Sequence, residues 1–156
     1  FALRASVEDG VEIDVVVFFS CHCFTHKERD DSREQIPTAE YWDDDGHPRV
    51  LNEDRYELSR RLLPLLINEL PKRRIRVLAG QRASFVTLEE VDHNGQPVSY
   101  VLFFELSKDR RRKRRLILRV QTAYVMEPVT RELNQAGKVT WQKLLNATYR
   151  GDRIRA

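Results

Sequence analysis

His22 and His26 are the residues of this sequence best suited to acid–base chemistry. Both lie in the segment Cys21-His22-Cys23-Phe24-Thr25-His26, which follows a strongly apolar stretch. An imidazole titrates near neutral pH and can therefore serve as a general acid or a general base. The alternative is that the two histidines only form the polar end of a strand. We retain both as candidate catalytic residues.

The same segment combines two thiols with two imidazoles, the side chains that bind zinc. In an extended strand, however, Cys21 and Cys23 point to one face and His22 and His26 to the other. A tetrahedral zinc site needs four ligands that converge. The sequence therefore predicts no metal and no other cofactor. Thiols so placed also lie at or beyond the limit of disulfide geometry, so we expect reduced cysteines and a cytoplasmic location.

Four polar residues further along the chain could complete a catalytic site. Arg55 lies in the first turn of a predicted helix, where its guanidinium could clamp a phosphate. In the last predicted strand, Thr122 and Tyr124 share one face and Arg119 the other. Polar residues at the end of an apolar strand indicate the rim of a cleft. The alternative is that Thr122 and Tyr124 serve the sheet and its core, and that Arg55 is ordinary surface.

A basic run joins two segments that both read as strands. Its cationic residues are Lys108, Arg110, Arg111, Arg112, Lys113, Arg114 and Arg115, interrupted only by Asp109. A sheet fixes the direction in which such a turn displays its charge, and clustered charge attracts phosphate. The sequence therefore predicts a nucleic-acid-binding turn. The alternative is a solvated hairpin tip that keeps a sheet edge soluble.

The bulk composition sets the class of protein. With 156 residues, 41% of them hydrophobic, the chain is long enough for one domain with a real core. No apolar run approaches the roughly 20 residues of a membrane helix, so we expect no membrane partner.

The elements that must position these residues follow from periodicity and turn signals. Alternation over residues 11–25 predicts one long strand, and 26–49 reads as a long acidic loop. Asn52 can cap a helix that Pro64 interrupts and that ends before Pro71. Four strands and a short helix follow, at 75–79, 84–91, 98–106, 116–126 and 141–149, with His93-Asn94-Gly95 as a hairpin turn. Residues 150–156 read as a frayed tail.

This order predicts a single α+β domain over residues 1–156. Its sheet would be an antiparallel β-meander with a long N-terminal strand, and its helices would pack on one face.

From Leu51 to Tyr149 the chain resembles the small basic ribonucleases that include barnase, EndoU, colicin and RelE-type toxins. The likeness lies in the order of helix and meander, in the strand Leu116 to Tyr124 with its terminal Thr-Ala-Tyr, and in the short last helix. The resemblance implies RNA cleavage without metal by His, Arg, Lys, Tyr and Thr or Ser side chains. His22 or His26, Tyr124, and Arg119 or Arg55 could fill these roles. The long leading strand with Cys-His-Cys departs from the simplest toxins.

We therefore expect a metal-independent ribonuclease, a bacterial or phage toxin or defence effector that acts on RNA. A protein inhibitor or partner domain would be a further partner. Two other functions stay open. The chain could be a non-catalytic nucleic-acid-binding module that uses the basic turn, or a protein-interaction or immunity-type domain whose acidic loop docks a basic partner.

Overall fold

Two β-sheets and three α-helices make up the part of the chain that the computed structural model describes, residues 2–78, 84–93 and 95–154. The predicted α+β class is confirmed. None of the described helices combines the length and the apolar character needed to cross a membrane.

The elements run in chain order as follows. The strands are β1 Ala2–Val7, β2 Val11–Phe19, β3 Thr25–Lys27, β4 Tyr41–Asp44, β5 His47–Leu51, β6 Arg74–Leu78, β7 Ser84–His93, β8 Gln96–Lys108, β9 Arg115–Val125 and β10 Lys138–Thr140; the helices are α1 Glu53–Glu69, α2 Arg131–Gln135 and α3 Trp141–Arg150. The large sheet has the order β1-β2-β9-β8-β7-β6-β10, and the small sheet has the order β3-β5-β4.

The predicted meander is present, because β6, β7, β8 and β9 pair antiparallel with their neighbours in sequence. The β7–β8 turn contains Gly95 at φ 76°, a conformation open to glycine. Asn94 of that predicted turn, and Ala79 at the predicted end of β6, lie outside the described residues.

The long N-terminal strand is shorter than predicted, and it is not antiparallel to the meander. β2 pairs in parallel with β9, with Val16 opposite Ile117, and antiparallel with β1. It ends at Phe19 because the hydroxyl of Ser20 accepts a hydrogen bond from the backbone N–H of His22. That local bond starts a 3-10 turn, Cys21–Cys23, in place of extended backbone. The prediction of one strand as far as Thr25 is wrong.

The prediction of a loop over residues 26–49 is also wrong in part. Residues 26–27, 41–44 and 47–49 of this segment belong to β3, β4 and the start of β5, which form the small sheet. Asp45 (φ 52°) and Gly46 (φ 81°) make the tight turn between β4 and β5. Two consecutive positive φ values are typical of the turns that suit two-residue hairpins.

The main core lies between one face of the large sheet and the two longer helices. α1 buries Leu58, Leu63 and Ile67, and α3 buries Leu144 and Leu145. The predicted cap is present, since Asn52 Oδ1 accepts from the backbone N–H of Arg55 at 2.9 Å. Pro64 lies within α1, which continues to Glu69.

The short helix α2 packs on the opposite face of the sheet. Its Leu133 joins Val86 and Val101 in a second, smaller apolar cluster. Of the predicted tail 150–156, Arg150 belongs to α3 and Ile154 packs against the main core. Arg155 and Ala156 lie outside the described residues.

Candidate active site

The 3-10 turn Cys21–Cys23 carries the first candidate residue, and polar contacts hold it in place. The carbonyl of His22 accepts from Thr122 Oγ1 at 3.2 Å and from Arg55 Nη1 at 3.4 Å. Arg55 Nη1 also donates to the carbonyl of Thr25 at 3.2 Å, and Thr25 Oγ1 donates to the carbonyl of Cys21 at 2.8 Å. The turn is thereby tied to β9 and to α1.

A buried network anchors the turn from below. Ser59 Oγ donates to the carbonyl of Cys23 at 2.5 Å and lies 3.1 Å from the hydroxyl of Tyr100. Burial raises the pKa of the Cys23 thiol to about 12 and that of Tyr100 to about 12. Both groups are therefore neutral at physiological pH, and Cys23 acts as a small core side chain.

The imidazole of His22 is held by a carboxylate. Its Nε2 lies 2.6 Å from Asp44 Oδ2, with 36% of the His22 side chain and 40% of the Asp44 side chain exposed. The hydrogen bond from His22 lowers the pKa of Asp44, so this carboxylate is ionised at neutral pH. Nε2 therefore carries the proton and donates, while Nδ1 has no hydrogen-bond partner among the described residues.

His22 and Asp44 line a pocket of about 460 Å³ at the edge of the small sheet. Asp44 lies opposite His47 across the β4–β5 hairpin, so a second imidazole shares the pocket. The rest of the lining includes three cationic side chains, Lys27, Arg29 and Arg49, and a second carboxylate, Glu28. The pocket thus combines two imidazoles with a small excess of cationic over anionic side chains.

The turn also changes the geometry expected for a metal. Ligand atoms of Cys21, His22 and Asp44 lie within 4.8 Å of one another, so the argument from opposite strand faces does not hold. Two ligands of one tetrahedral zinc ion lie about 3.3 Å apart, given bonds of about 2.0 Å. The 2.6 Å between His22 and Asp44 is a hydrogen-bond distance instead. We assign no metal to this group.

His26 has both ring nitrogens engaged. Because Asn52 Oδ1 caps α1, its Nδ2 faces His26 and donates to Nδ1 at 3.2 Å. Nε2 then carries the proton and lies 2.8 Å from Asp31 Oδ2. Asp31 in turn binds Arg33, whose hydrogen bonds lower the pKa of the carboxyl far below its usual range. His26 therefore has no nitrogen left for a substrate.

The other predicted residues divide between two places. Thr122 and Arg55 both donate to the carbonyl of His22, and Tyr124 lies next to Arg55. The Arg55 guanidinium is 5.1 Å from the ring centroid of Tyr124. Burial lowers the pKa of Arg55. These three residues do not line the pocket, and we describe them as positioning residues. Arg119 is exposed on the face of the sheet opposite α1 and α3, away from this group.

Asp44, His47, Lys27 and Arg49 are pocket residues that the sequence analysis missed. The signal for the first two was present, because Asp45-Gly46 is as strong a hairpin dipeptide as Asn94-Gly95. Reading it would have placed Asp44 and His47 side by side.

Fold and site together define an α+β protein with a histidine-containing cationic pocket beside its main sheet. The chain belongs to the YjaZ family, whose model matches residues 1–149. No curated protein and no solved structure matches the chain.

Proposed function

We propose that this protein is a metal-independent ribonuclease that acts at the His22 pocket, in the cytoplasm, as a toxin or defence effector. The observation that carries the proposal is an imidazole held by Asp44 that shares one cationic pocket with His47. Metal-free RNA cleavage needs these groups: a base, an acid and cations for the charge that develops on the phosphate.

The proton positions assign the roles. With Nε2–H of His22 donating to Asp44, Nδ1 is the unprotonated nitrogen and accepts the proton of the 2′-hydroxyl. The resulting imidazolium is stabilised by the Asp44 carboxylate. The 2′-oxygen attacks phosphorus, the bond to the 5′-oxygen breaks, and protonated His47 gives its proton to that oxygen. The products are a 2′,3′-cyclic phosphate and a 5′-hydroxyl.

Positive charge in the pocket suits the transition state. Arg49 is almost fully buried, and its Nε and Nη2 donate to Thr25 at 2.7 and 3.0 Å, which fixes the guanidinium. Lys27 is exposed and has no ion pair within the described ranges. The exposed Lys27 can contact the non-bridging oxygens of a phosphate, while the fixed charge of Arg49 adds to the positive potential of the pocket.

The test is cleavage of RNA by the purified protein in EDTA. His22→Ala and His47→Ala should each lower the rate on the order of 100-fold or more, the scale for one general acid–base group. Asp44→Asn should lower it by about 10²–10⁴, because the amide no longer favours the productive tautomer. His93→Ala is the matched control, since His93 lies in another pocket. Tyr124→Phe should retain activity, because the ring of Tyr124, not its hydroxyl, contacts Arg55.

Three results would overturn the mechanism. The first is equal cleavage of DNA or of RNA with 2′-O-methyl groups, since neither offers the nucleophile. The second is loss of activity in EDTA with recovery on adding zinc. The third is full activity in both histidine variants.

The basic turn supports a second candidate, a non-catalytic nucleic-acid-binding module. Arg115 is paired with Asp109, but no ion pair within the described ranges involves the six other cationic residues, Lys108, Arg110, Arg111, Arg112, Lys113 and Arg114. Retention of RNA without cleavage would favour this module. Binding to no nucleic acid would favour a protein-interaction domain.

A further inference from the structure

We infer that the face of β2, β8 and β9 opposite α1 and α3 binds single-stranded RNA, with a base stacked on Phe18; this rests on the proposed action on RNA. The inference concerns how the substrate is held, at a place separate from the pocket that would cleave it.

Two adjoining pockets, together called the groove, lie on this face. One part, of about 450 Å³, is lined by Phe18 and by residues of the basic turn. A second part, of about 500 Å³, is lined by Glu105, Arg119 and Gln121. The two parts share Ser107 and Ile117, so the groove runs from the basic turn along β9. α2 packs elsewhere on this face, against Val86 and Val101.

Phe18 is the aromatic platform of the groove. Its side chain is 52% exposed, and in the parallel pairing it lies opposite Arg119. The neighbouring row on the same face is Val16 opposite Ile117. An exposed phenylalanine flanked by aliphatic side chains and a guanidinium has the composition of a base-stacking site.

The charge of the groove suits phosphate. Its lining contains four cationic side chains that can face the groove, Arg110, Arg111, Arg115 and Arg119, against two carboxylates, Asp109 and Glu105. Lys108 also borders the groove, but its ammonium lies beside Gly151 at the end of α3. Asp109 is engaged by Arg115 and by the backbone N–H of Arg111. Arg119 lies opposite Phe18, and Arg110 and Arg111 lie at the basic turn, so that both places can contact phosphates that flank a stacked base.

The groove leads toward the proposed catalytic turn. Gln121 lines its far end, and the next residue, Thr122, donates to the carbonyl of His22. An RNA strand bound along β9 would thus pass from the basic turn to the end of the sheet next to the turn Cys21–Cys23, which contains His22. A duplex cannot use the platform, because its bases are stacked on one another and their faces are closed.

The binding test uses a fluorescent 2′-O-methyl RNA of about ten nucleotides, within the range that one stacking groove covers. The probe cannot be cleaved at its 2′ position. Phe18→Ala should weaken single-strand binding on the order of 10- to 100-fold, the scale for losing one base–aromatic stack. Phe18→Trp should keep the affinity. Phe19→Ala is the matched control, since Phe19 is also exposed but points to the opposite face of β2.

The same probe hybridised to its complement should bind more weakly than the single strand. Unchanged affinity in Phe18→Ala, an equal loss in Phe19→Ala, or preference for the duplex would each overturn the inference. Failure of the ribonuclease proposal is seen separately, because it appears as uncleaved natural RNA while this probe still binds. Near-UV circular dichroism checks that each variant is folded.

Discussion

The buried contact between Ser59 and Tyr100 predicts both the sign and the size of the changes that mutations there make in the free energy of unfolding. The Ser59 hydroxyl proton is used on the carbonyl of Cys23, so Tyr100, a neutral phenol, must be the donor to Ser59 Oγ. Ser59→Ala leaves two buried groups without a partner, the Tyr100 hydroxyl and the Cys23 carbonyl. At roughly 1–3 kcal/mol each, we expect a loss of about 2–6 kcal/mol in the free energy of unfolding.

Tyr100→Phe removes a donor and leaves no buried group without a partner, so it should cost only about 0.5–1.5 kcal/mol. In the Ser59→Ala background the same change removes an orphaned hydroxyl. It should therefore be neutral there, or stabilising by roughly 1 kcal/mol, despite the loss of a polar atom. Urea unfolding of the parent, both single variants and the double variant, at constant m value, measures this coupling. An equal cost of Tyr100→Phe in both backgrounds would refute the donor assignment.

Three further predictions concern charge and thiols. Changing Arg111, Arg112 and Arg114 to glutamine should weaken the salt dependence of single-stranded RNA binding. The slope of the logarithm of the binding constant against the logarithm of the salt concentration should fall by about 0.7 for each lost phosphate contact. An unchanged slope would refute these contacts. Because Arg33 lowers the pKa of Asp31, the folded state favours the carboxylate; its stabilising effect is present above the unfolded pKa of about 4 and is lost as pH falls. Asp31→Asn should therefore destabilise the protein at pH 7 and flatten its acid-induced loss of stability, as measured by urea unfolding at several pH values. In the folded protein, iodoacetamide should modify the half-buried Cys21 and not Cys23, whose pKa is raised by burial, and mass spectrometry of the peptides gives each yield.

Local signals were sufficient for much of the fold. Alternation identified β2, whose Ile13, Val15 and Val17 are buried as the pattern requires. The cap at Asn52 and the turn at Gly95 placed α1 and the β7–β8 hairpin. These signals act through bonds between residues close in sequence, which is why the sequence alone can reveal them.

The end of β2 and the site depended on contacts that the local pattern does not specify. The alternation of side chains continues through Cys21 and Cys23, but Ser20 replaces ladder hydrogen bonds with a turn. The parallel pairing of β2 with β9 brings together segments that are far apart in the sequence. The side-chain pattern of neither strand specifies which strand it pairs with. His22 could be proposed from its chemistry, whereas its carboxylate partner required the fold.

The pairing of β2 with β9 also bears on how the chain folds during synthesis. Thr122 and His22, which are hydrogen-bonded, lie 100 residues apart in sequence. When the ribosome has synthesised β1, β2 and the small sheet, it has not yet synthesised β9, with which β2 pairs. Closure of so long a loop is slow compared with formation of the local hairpins. The small sheet can therefore form early, while the apolar edge of β2 stays unpaired until β9 emerges, and during that interval the nascent chain is most open to chaperones and to aggregation.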